Sequence, residues 1–333
     1  MWSDFFFEFG IFFAEVLSVI VLITIAVLFI FFVISRSQQT MDGQIEIRNL
    51  NQKYNQMRLI LNSVLLSKKE YKKNIKEFKS LKKKDKNTSS EENRNRLFVV
   101  NFKGDIRPSQ VSSLREEITA VLGVARQGDE VLVKLESGGG TVHGYGLAAS
   151  QLKRLRDKNI VLTVAVDKVA ASGGYMMACV ANTIVAAPFA IIGSIGVLAQ
   201  LPNFNRLLKK HNIDFEQISA GKHKRSLTLF GENTEEDREK LRQELEDTHE
   251  LFKQFIKENR DCVDIDLIST GEHWYGQRAL DLNLVDKIQT SDDFINDVSE
   301  AFDIYEIEFS RKKPVMEKVF GSAVNMFKPE DFT

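Results

Sequence analysis

A run of 19 residues near the amino terminus contains no charge, and it constrains the chain more than any other feature. Residues 16–34 read VLSVIVLITIAVLFIFFVI. A helix needs about 20 apolar residues to cross the hydrocarbon core of a bilayer. The residues before the run include acidic side chains but no lysine or arginine, and no small-residue cleavage pattern follows it, unlike a cleaved signal peptide. We therefore expect one membrane-spanning helix that contacts the lipid bilayer through residues 16–34.

The composition predicts one main domain with appendages. The 333 residues are 43% hydrophobic and 27% charged, which is enough to bury one sizeable core. The formal net charge is −1, and because a nucleic-acid-binding protein is normally basic over one face, we expect no nucleic-acid partner. The expected divisions are a tail at 1–10, the transmembrane helix at 11–35, a charged segment at 36–95, a globular domain at 96–300 and a tail at 301–333.

The charged segment contains a heptad-like pattern. Apolar residues recur three and four positions apart from Ile47 to Phe78, with Lys68 as one interruption. This spacing is typical of an amphipathic or coiled-coil helix. The sequence leaves open whether such a helix pairs with another helix, lies on the following domain or lies on lipid headgroups. A polar, lysine-rich stretch then predicts a flexible linker that ends near Arg96.

Beyond Arg96, short apolar runs alternate with amphipathic stretches. Strands are predicted at LFVVNF (97–102), VLVKL (131–135), IVLTVAV (160–166), TIVAA (183–187) and IGVLA (195–199). Helices are predicted at 141–155 and at 234–260, the second with Thr234 as its N-cap and an acidic first turn. This alternation predicts an α/β domain with a mostly parallel sheet of βαβ units. A second uncharged run, at 183–201, contains Pro188 and two glycines, so we interpret it as buried strands and turns and not as a second span.

Two glycine-rich turns follow predicted strands, ESGGGTV (136–142) and ASGGY (171–175). Ligands of parallel sheets bind beyond the carboxyl ends of strands, and glycines there expose backbone N–H groups. Ser172 could be only a helix cap, because serine is a preferred N-cap residue. Taken with the first turn, it could instead be a nucleophile whose oxyanion is bound by N–H groups of Gly173 and of the Gly139–Gly140 turn.

A nucleophilic serine needs a base. None of the five histidines stands in a recognisable Ser-His-Asp motif, whereas QISAGKHKRSLT (217–228) supplies lysines. Burial beside apolar walls can lower the pKa of a lysine until its amine is neutral near pH 7. Lys222 and Lys224 would face the same way in an extended segment, so geometry alone does not separate them.

Four motifs together resemble the signal peptide peptidase A family of Ser-Lys proteases, most closely its single-domain membrane-anchored branch. The resemblance covers about residues 96–300. The motifs are ESGGGTV, DKVAASGGYMMA, SAGKHKR and GEHWYGQRALDLNLVD. The chain departs from the family pattern at Glu136, at Gly138 and at Asn283, where the family usually has Asp, Pro and Gly.

The resemblance implies a ClpP/crotonase-like fold and assigns roles to residues. Ser172 matches the family's nucleophile and Lys224 its general base, which favours Lys224 over Lys222. Gly173 would supply one oxyanion donor, and either Gly140 or Gly139 the other. No cofactor or metal is implied.

The expected activity is therefore that of a membrane-anchored serine endopeptidase. It would hydrolyse peptide bonds in signal-peptide remnants or in unfolded or membrane-derived peptides, and the resemblance also implies a homo-oligomer in the bacterial inner membrane. The resemblance implies a periplasmic catalytic domain, whereas the basic residues after the span, beginning with Arg36, favour the cytoplasm. Two alternatives stay open, a crotonase-type acyl-CoA enzyme and a catalytically silent membrane scaffold in which Ser172 only caps a helix.

Overall fold

A computed structural model of the chain describes residues 2–38, 43–76, 94–221 and 227–311. The chain divides into two compact units, of which one includes helix α1 (Trp2–Gln38) and the other spans Glu46–Glu308. Within α1, the segment Phe9–Val27 has a mean hydropathy of 2.6 and none of its residues is buried by protein. Among the described residues, α1 is the one helix that is long and apolar enough to cross a membrane.

The unit Glu46–Glu308 contains almost all of a ten-stranded sheet. The strands are β1 (Gly43–Asn49), β2 (Arg96–Gly104), β3 (Glu130–Ser137), β4 (Val161–Val166), β5 (Val169–Ala171), β6 (Thr183–Ala186), β7 (Ile191–Gly193), β8 (His273–Tyr275), β9 (Lys287–Ile288) and β10 (Asp303–Arg311). The helices after α1 are α2 (Leu50–Leu65), α3 (68–76), α4 (Val111–Val124), α5 (Val142–Arg156), α6 (Gly173–Ala178), α7 (Asn205–Lys210), α8 (Glu235–Asn259), α9 (Ile265–Ile268), α10 (Gly276–Asp281) and α11 (Ser291–Val298).

The main sheet runs in the order β1-β10-β2-β3-β4-β6-β9, and its pairs from β10 to β9 are parallel. A short side branch leaves β3, because β5 pairs with both β3 and β7, and β7 pairs with β8 in antiparallel register. Helices separate β2, β3 and β4 along the chain, which is the βαβ pattern of an α/β domain. The prediction of an α/β domain with a mostly parallel sheet of βαβ units is confirmed.

Both faces of the central strands are covered near their starts. Helices α4, α5 and α6 pack on one face and around the side branch. On the other face, Leu50 of α2 and Ile295 of α11 join a core cluster with Val99 and Leu132. Because apolar side chains of β2 and β3 are buried on both faces, these strands appear in the sequence as continuous apolar runs.

Two sequence expectations differ from the structure. The heptad-like pattern does not form one helix, because Ile47 lies in β1 and the helical part is interrupted at Leu66, where the backbone is extended. The strand predicted at 195–199 is absent from this described stretch, and Ile191–Gly193 forms the strand instead. Gly193 has φ 102° and Ser194 has φ 51°, so the chain turns away from the sheet before residue 195.

Candidate active site

The two glycine-rich turns meet at the carboxyl end of β3. Ser137, the last residue of β3, pairs with Ala170 of β5, and β5 ends one residue before Ser172. The first glycine turn therefore begins beside the strand that carries the second turn. Parallel pairing is what brings these segments together, although they are more than 30 positions apart in the chain.

Ser172 has a backbone conformation that is rare for a residue with a side chain. Its φ is 53° and its ψ is −118°, the conformation of the first central residue of a type II′ turn, which favours glycine. Two backbone hydrogen bonds hold it there. Its N–H donates to the carbonyl of Gly193 at 2.7 Å, and its carbonyl accepts from the N–H of Met176 at 3.0 Å. Strained non-glycine residues of this kind concentrate at functional sites.

The Ser172 hydroxyl does not act as a helix cap. A capping side chain accepts a hydrogen bond from an N–H in the first helical turn, and Ser172, although it precedes α6, forms no such bond. Within the described ranges its hydroxyl has no hydrogen-bond partner at all, histidines included. The residue is partly exposed and lines a small pocket.

Glycine is required at both positions of the adjoining turn. Gly139 has φ 86°, and a Cβ atom there would lie 2.7 Å from the Cβ of Ser172 and 2.8 Å from the N of Gly173. A Cβ atom on Gly140 would lie 2.1 Å from the carbonyl oxygen of Ile106. Real Cβ atoms do not approach other atoms so closely, so any side chain would push this turn away from Ser172.

The N–H groups of this turn differ in what they bind. The Gly139 N–H donates to the Ser137 hydroxyl at 3.1 Å, and the Thr141 N–H donates to the Ile106 carbonyl at 2.9 Å. Between them, the Gly140 N–H has no protein acceptor among the described residues, and Gly140 lines the same pocket as Ser172.

A buried tyrosine supports both turns from below. Tyr145 is fully buried, and its hydroxyl donates to the Asp105 carbonyl at 2.8 Å and lies 2.5 Å from the Ser137 hydroxyl. Its ring lies against Gly173, where a Cβ atom would come within 2.4 Å of the ring. Burial raises the pKa of Tyr145, so the phenol stays protonated and able to donate. Sequence reasoning missed this residue, because a tyrosine in an amphipathic helix carries no local sign of such a contact.

Four apolar side chains form much of the pocket wall, together with Thr248 and the glycines. They are Val142, Met176, Val197 and Phe252. Phe252 and Thr248 come from α8, a helix that the sequence predicted with its Thr234 cap, and that prediction is confirmed by a capping box with Asp237. The sequence did not indicate that α8 reaches the pocket.

The fourth motif, GEHWYGQRALDLNLVD, packs behind α6. The buried Arg260 bonds to the Asn283 carbonyl at 2.7 Å and forms an ion pair with Asp286 at 2.9 Å. The Tyr175 hydroxyl of α6 donates to the Leu284 carbonyl at 3.1 Å. Asn283 has φ 57°, a conformation that favours the glycine of the family pattern and that asparagine tolerates nearly as well. The motif thus fixes the helix that follows Ser172.

The predicted base lies outside the described residues. Lys222 and Lys224 both fall in the gap between residues 221 and 227, so the structure tests neither. The two cysteines are free; Cys179 is buried and Cys262 is exposed. Burial raises the pKa of the Cys179 thiol to about 12. No group of three or more His, Cys, Asp or Glu side chains in the described part of the chain could hold a metal ion.

Comparison with known proteins identifies the family. The family models "Peptidase family S49 N-terminal" and "Peptidase family S49" match residues 4–152 and 154–304. A probable protease SohB of Haemophilus influenzae is 48% identical, with 98% of this chain and 96% of the relative covered. A probable protease SohB of Buchnera aphidicola subsp. Schlechtendalia chinensis is 49% identical, with 88% and 99% covered.

A solved structure is also similar, a mutant of the 1510-N membrane-bound stomatin-specific protease in complex with a substrate peptide. It is 13% identical, with a TM-score of 0.44 and with 68% of this chain and 99% of that chain covered. As far as the described residues extend, the chain is a single-pass membrane protein anchored by α1. With nearly half of its residues identical to SohB relatives over almost its whole length, the chain belongs to peptidase family S49 and is a serine peptidase.

Proposed function

We propose that the chain cleaves apolar, extended peptides at the membrane with Ser172 as nucleophile and Lys224 as general base. The observation that carries the proposal is the backbone of Ser172. A strained conformation holds a hydroxyl at the pocket without any hydrogen-bond partner among the described residues, which a capping or packing role would not need. Family membership favours peptide hydrolysis over the acyl-CoA enzyme and the silent scaffold.

The reaction proceeds through an acyl-enzyme. The neutral amine of Lys224 takes the Ser172 proton as the oxygen attacks the peptide carbonyl, and the resulting tetrahedral oxyanion accepts hydrogen bonds from backbone N–H groups. The intermediate collapses as the lysine gives its proton to the leaving amine. Lys224 then deprotonates a water molecule, which attacks the ester carbonyl. As the ester bond breaks, the lysine returns that proton to the Ser172 oxygen, and the product acid is released.

Gly173 and Gly140 are the preferred oxyanion donors. The Gly173 N–H belongs to the first turn of α6, where N–H groups have no intrahelical partner. Gly140 is favoured over Gly139, because the Gly139 N–H is already bonded to Ser137 while that of Gly140 has no acceptor in the described structure. Each lost donor of this kind typically lowers kcat by about 10²- to 10³-fold.

The pocket wall supports a preference for apolar side chains. Val142, Met176, Val197 and Phe252 offer no charge to a substrate side chain. Apolar groups next to the cleaved bond would be desolvated favourably there, and peptides from membrane proteins or signal-peptide remnants carry such groups. An extended or unfolded peptide is required, because the carbonyl must reach Ser172 between two turns.

The cellular setting is also a proposal. Bacterial relatives support the bacterial inner membrane as the location. The side that holds the catalytic domain is tested by protease accessibility in sealed spheroplasts, where digestion from outside indicates a periplasmic domain. A homo-oligomer is tested by light scattering of the detergent-solubilised chain.

Hydrolysis of a fluorogenic apolar peptide by the detergent-purified chain tests the dyad. Ser172→Ala and Lys224→Ala should each lose activity, whereas Lys222→Ala, the neighbouring lysine, should retain it. Loss with Lys222→Ala and retention with Lys224→Ala would move the base to Lys222. Full hydrolysis by Ser172→Ala would refute the mechanism, and acyl-CoA turnover by that variant would support the other enzyme class.

A peptide pair tests the substrate class. Two fluorogenic peptides that differ only in leucine or glutamate beside the cleaved bond should differ in kcat/KM in favour of leucine. Equal values would refute the proposed role of the apolar wall while leaving the dyad intact.

A further inference from the structure

Helix α2 carries an apolar row that the domain leaves open to solvent. The row consists of five residues at positions i, i+3, i+4, i+7 and i+8, and each of them is between 52% and 82% exposed. They are Met57, Ile60, Leu61, Val64 and Leu65. Scattered exposed apolar residues are normal on a protein surface, but a contiguous helical row marks an interaction surface.

The row continues a face that is buried at the start of the same helix. Leu50 is 3% exposed in the core cluster, and Tyr54 packs against that cluster. At 100° per residue, Leu61 and Val64 lie within about 45° of Leu50 around the helix axis. The apolar face is therefore continuous, and its second half has no domain surface to pack against among the described residues.

The charges around the row are almost all positive. Residues 50–76 contain seven lysines and arginines and one acidic residue, Glu70, whereas the whole chain has a net charge of −1. The Glu70 carboxylate accepts hydrogen bonds from the N–H and the hydroxyl of Ser67, and the Glu70 N–H donates to that hydroxyl. These bonds cap the start of α3. Arg58 lies beside the row, Lys53 lies one turn before it, and α2 itself contains no acidic residue.

We propose that α2 docks onto an anionic lipid surface, with its apolar row inserted among the headgroups and with Lys53, Arg58 and the lysines of α3 on lipid phosphates. An amphipathic helix with cationic residues beside an apolar face is the form that lies in a membrane interface. Long basic side chains can keep their charge at the phosphates while their stems cover apolar surface. Only 11 residues separate α1 from α2, so at most about 40 Å of extended chain joins the two helices.

A second copy of the chain fits this face less well. In a symmetric pair formed through the apolar row, the basic residues of both helices would flank the same interface. Like charges oppose such pairing, and α2 has no carboxylate to compensate them. Anionic phosphates neutralise the same charges and place no requirement on register. The docking is independent of the proposed dyad and concerns where the domain is held.

The test uses the full chain in lipid nanodiscs and a matched pair of probes. Cys262→Ser removes the exposed thiol, and buried Cys179 is retained. In that background, Leu61→Cys places a fluorophore on the row and Ser63→Cys places it on the opposite face, 200° away. Both original residues are exposed, so neither change removes core packing. Quenching by a spin-labelled lipid is measured in phosphatidylglycerol-containing and in pure phosphatidylcholine discs.

The expected result is strong quenching at position 61 and weak quenching at position 63, in phosphatidylglycerol discs. Lys53→Gln and Arg58→Gln should each lower the docked fraction relative to the free fraction, by roughly fivefold per charge. Equal quenching at both positions would overturn the proposal. Shielding of position 61 that needs two chains per disc and gives no lipid quenching would also overturn it, in favour of a second copy.

Discussion

Replacement of Ser172 by glycine is expected to abolish hydrolysis and to stabilise the fold. A non-glycine residue at φ 53° and ψ −118° costs about 1–3 kcal/mol. Glycine relieves that strain but loses about 0.5–1 kcal/mol more backbone entropy on folding than alanine does. The hydroxyl contributes no hydrogen bond within the described structure, so its removal adds little. The net gain is about 1 kcal/mol in the free energy of unfolding, or roughly 2–4 °C in Tm for a domain of this size.

The variant Ser172→Ala distinguishes a strained serine from a serine that caps the helix. Ser172→Ala keeps the Cβ atom and the strain, so its stability should match the wild type to within about 0.5 kcal/mol. Both variants should lose hydrolysis by as much as about a millionfold, as other serine peptidases do without their serine. The assay is thermal unfolding of the full chain in detergent, with hydrolysis of the fluorogenic peptide measured on the same samples.

A capping role predicts a different order of stability. Loss of a serine cap costs about 0.5–2 kcal/mol with alanine and only a few tenths with glycine. The strain argument would therefore be refuted if the wild type is more stable than Ser172→Gly and if Ser172→Gly is more stable than Ser172→Ala. Asn159→Gly is the control, because Asn159 has φ 58° in an exposed turn. Asparagine tolerates this conformation, so the control should change Tm little.

Two substitutions test the support of the site, and one labelling experiment tests the burial of Cys179. Tyr145→Phe should lower kcat with little change in KM. It should also lower the free energy of unfolding by about 1–3 kcal/mol, because the Ser137 hydroxyl and the Asp105 carbonyl lose a buried hydrogen-bond partner. Gly173→Ala should reduce both hydrolysis and thermal stability, by about 1–3 kcal/mol or more, since the new methyl group overlaps the Tyr145 ring. Iodoacetamide should label Cys262 in the native chain and Cys179 only after unfolding, because burial raises the pKa of Cys179 to about 12. Between pH 9 and about 12 the unfolded Cys179 thiol loses its proton while the native thiol keeps it. The free energy of unfolding should therefore fall as the pH rises through this range.

Each of these tests has a contrary outcome, and the glycine substitution also has a control. Gly146→Ala is the control for Gly173→Ala, because a Cβ atom there meets nothing within 4 Å. Equal losses in both glycine variants would contradict the steric argument. A fall in stability with unchanged kcat in Tyr145→Phe would reduce Tyr145 to a packing residue. Rapid native labelling of two thiols would contradict the burial of Cys179.

The sequence alone determined the features whose signals lie within a few residues. The membrane span follows from one uncharged run, because the bilayer sets the length of an apolar helix directly. Helix α8 follows from Thr234 and the acidic first turn, since capping bonds join residues three positions apart. The two glycine turns were also predictable, because each follows an apolar strand. In each case the cause and its signal occupy the same stretch of chain.

The tertiary structure decided the features that depend on distant contacts. The sequence left both Gly139 and Gly140 open as the second oxyanion donor, and the preference proposed for Gly140 rests on the Ser137 hydroxyl, which occupies the Gly139 N–H. The support from Tyr145 depends on three segments that only sheet pairing brings together. The strand at Ile191–Gly193 was missed for the same reason, because pairing with β5 and β8 selects it over the longer apolar run that follows. Periodicity describes which side of an element is buried, whereas the partner of each polar group is fixed only when the elements pack.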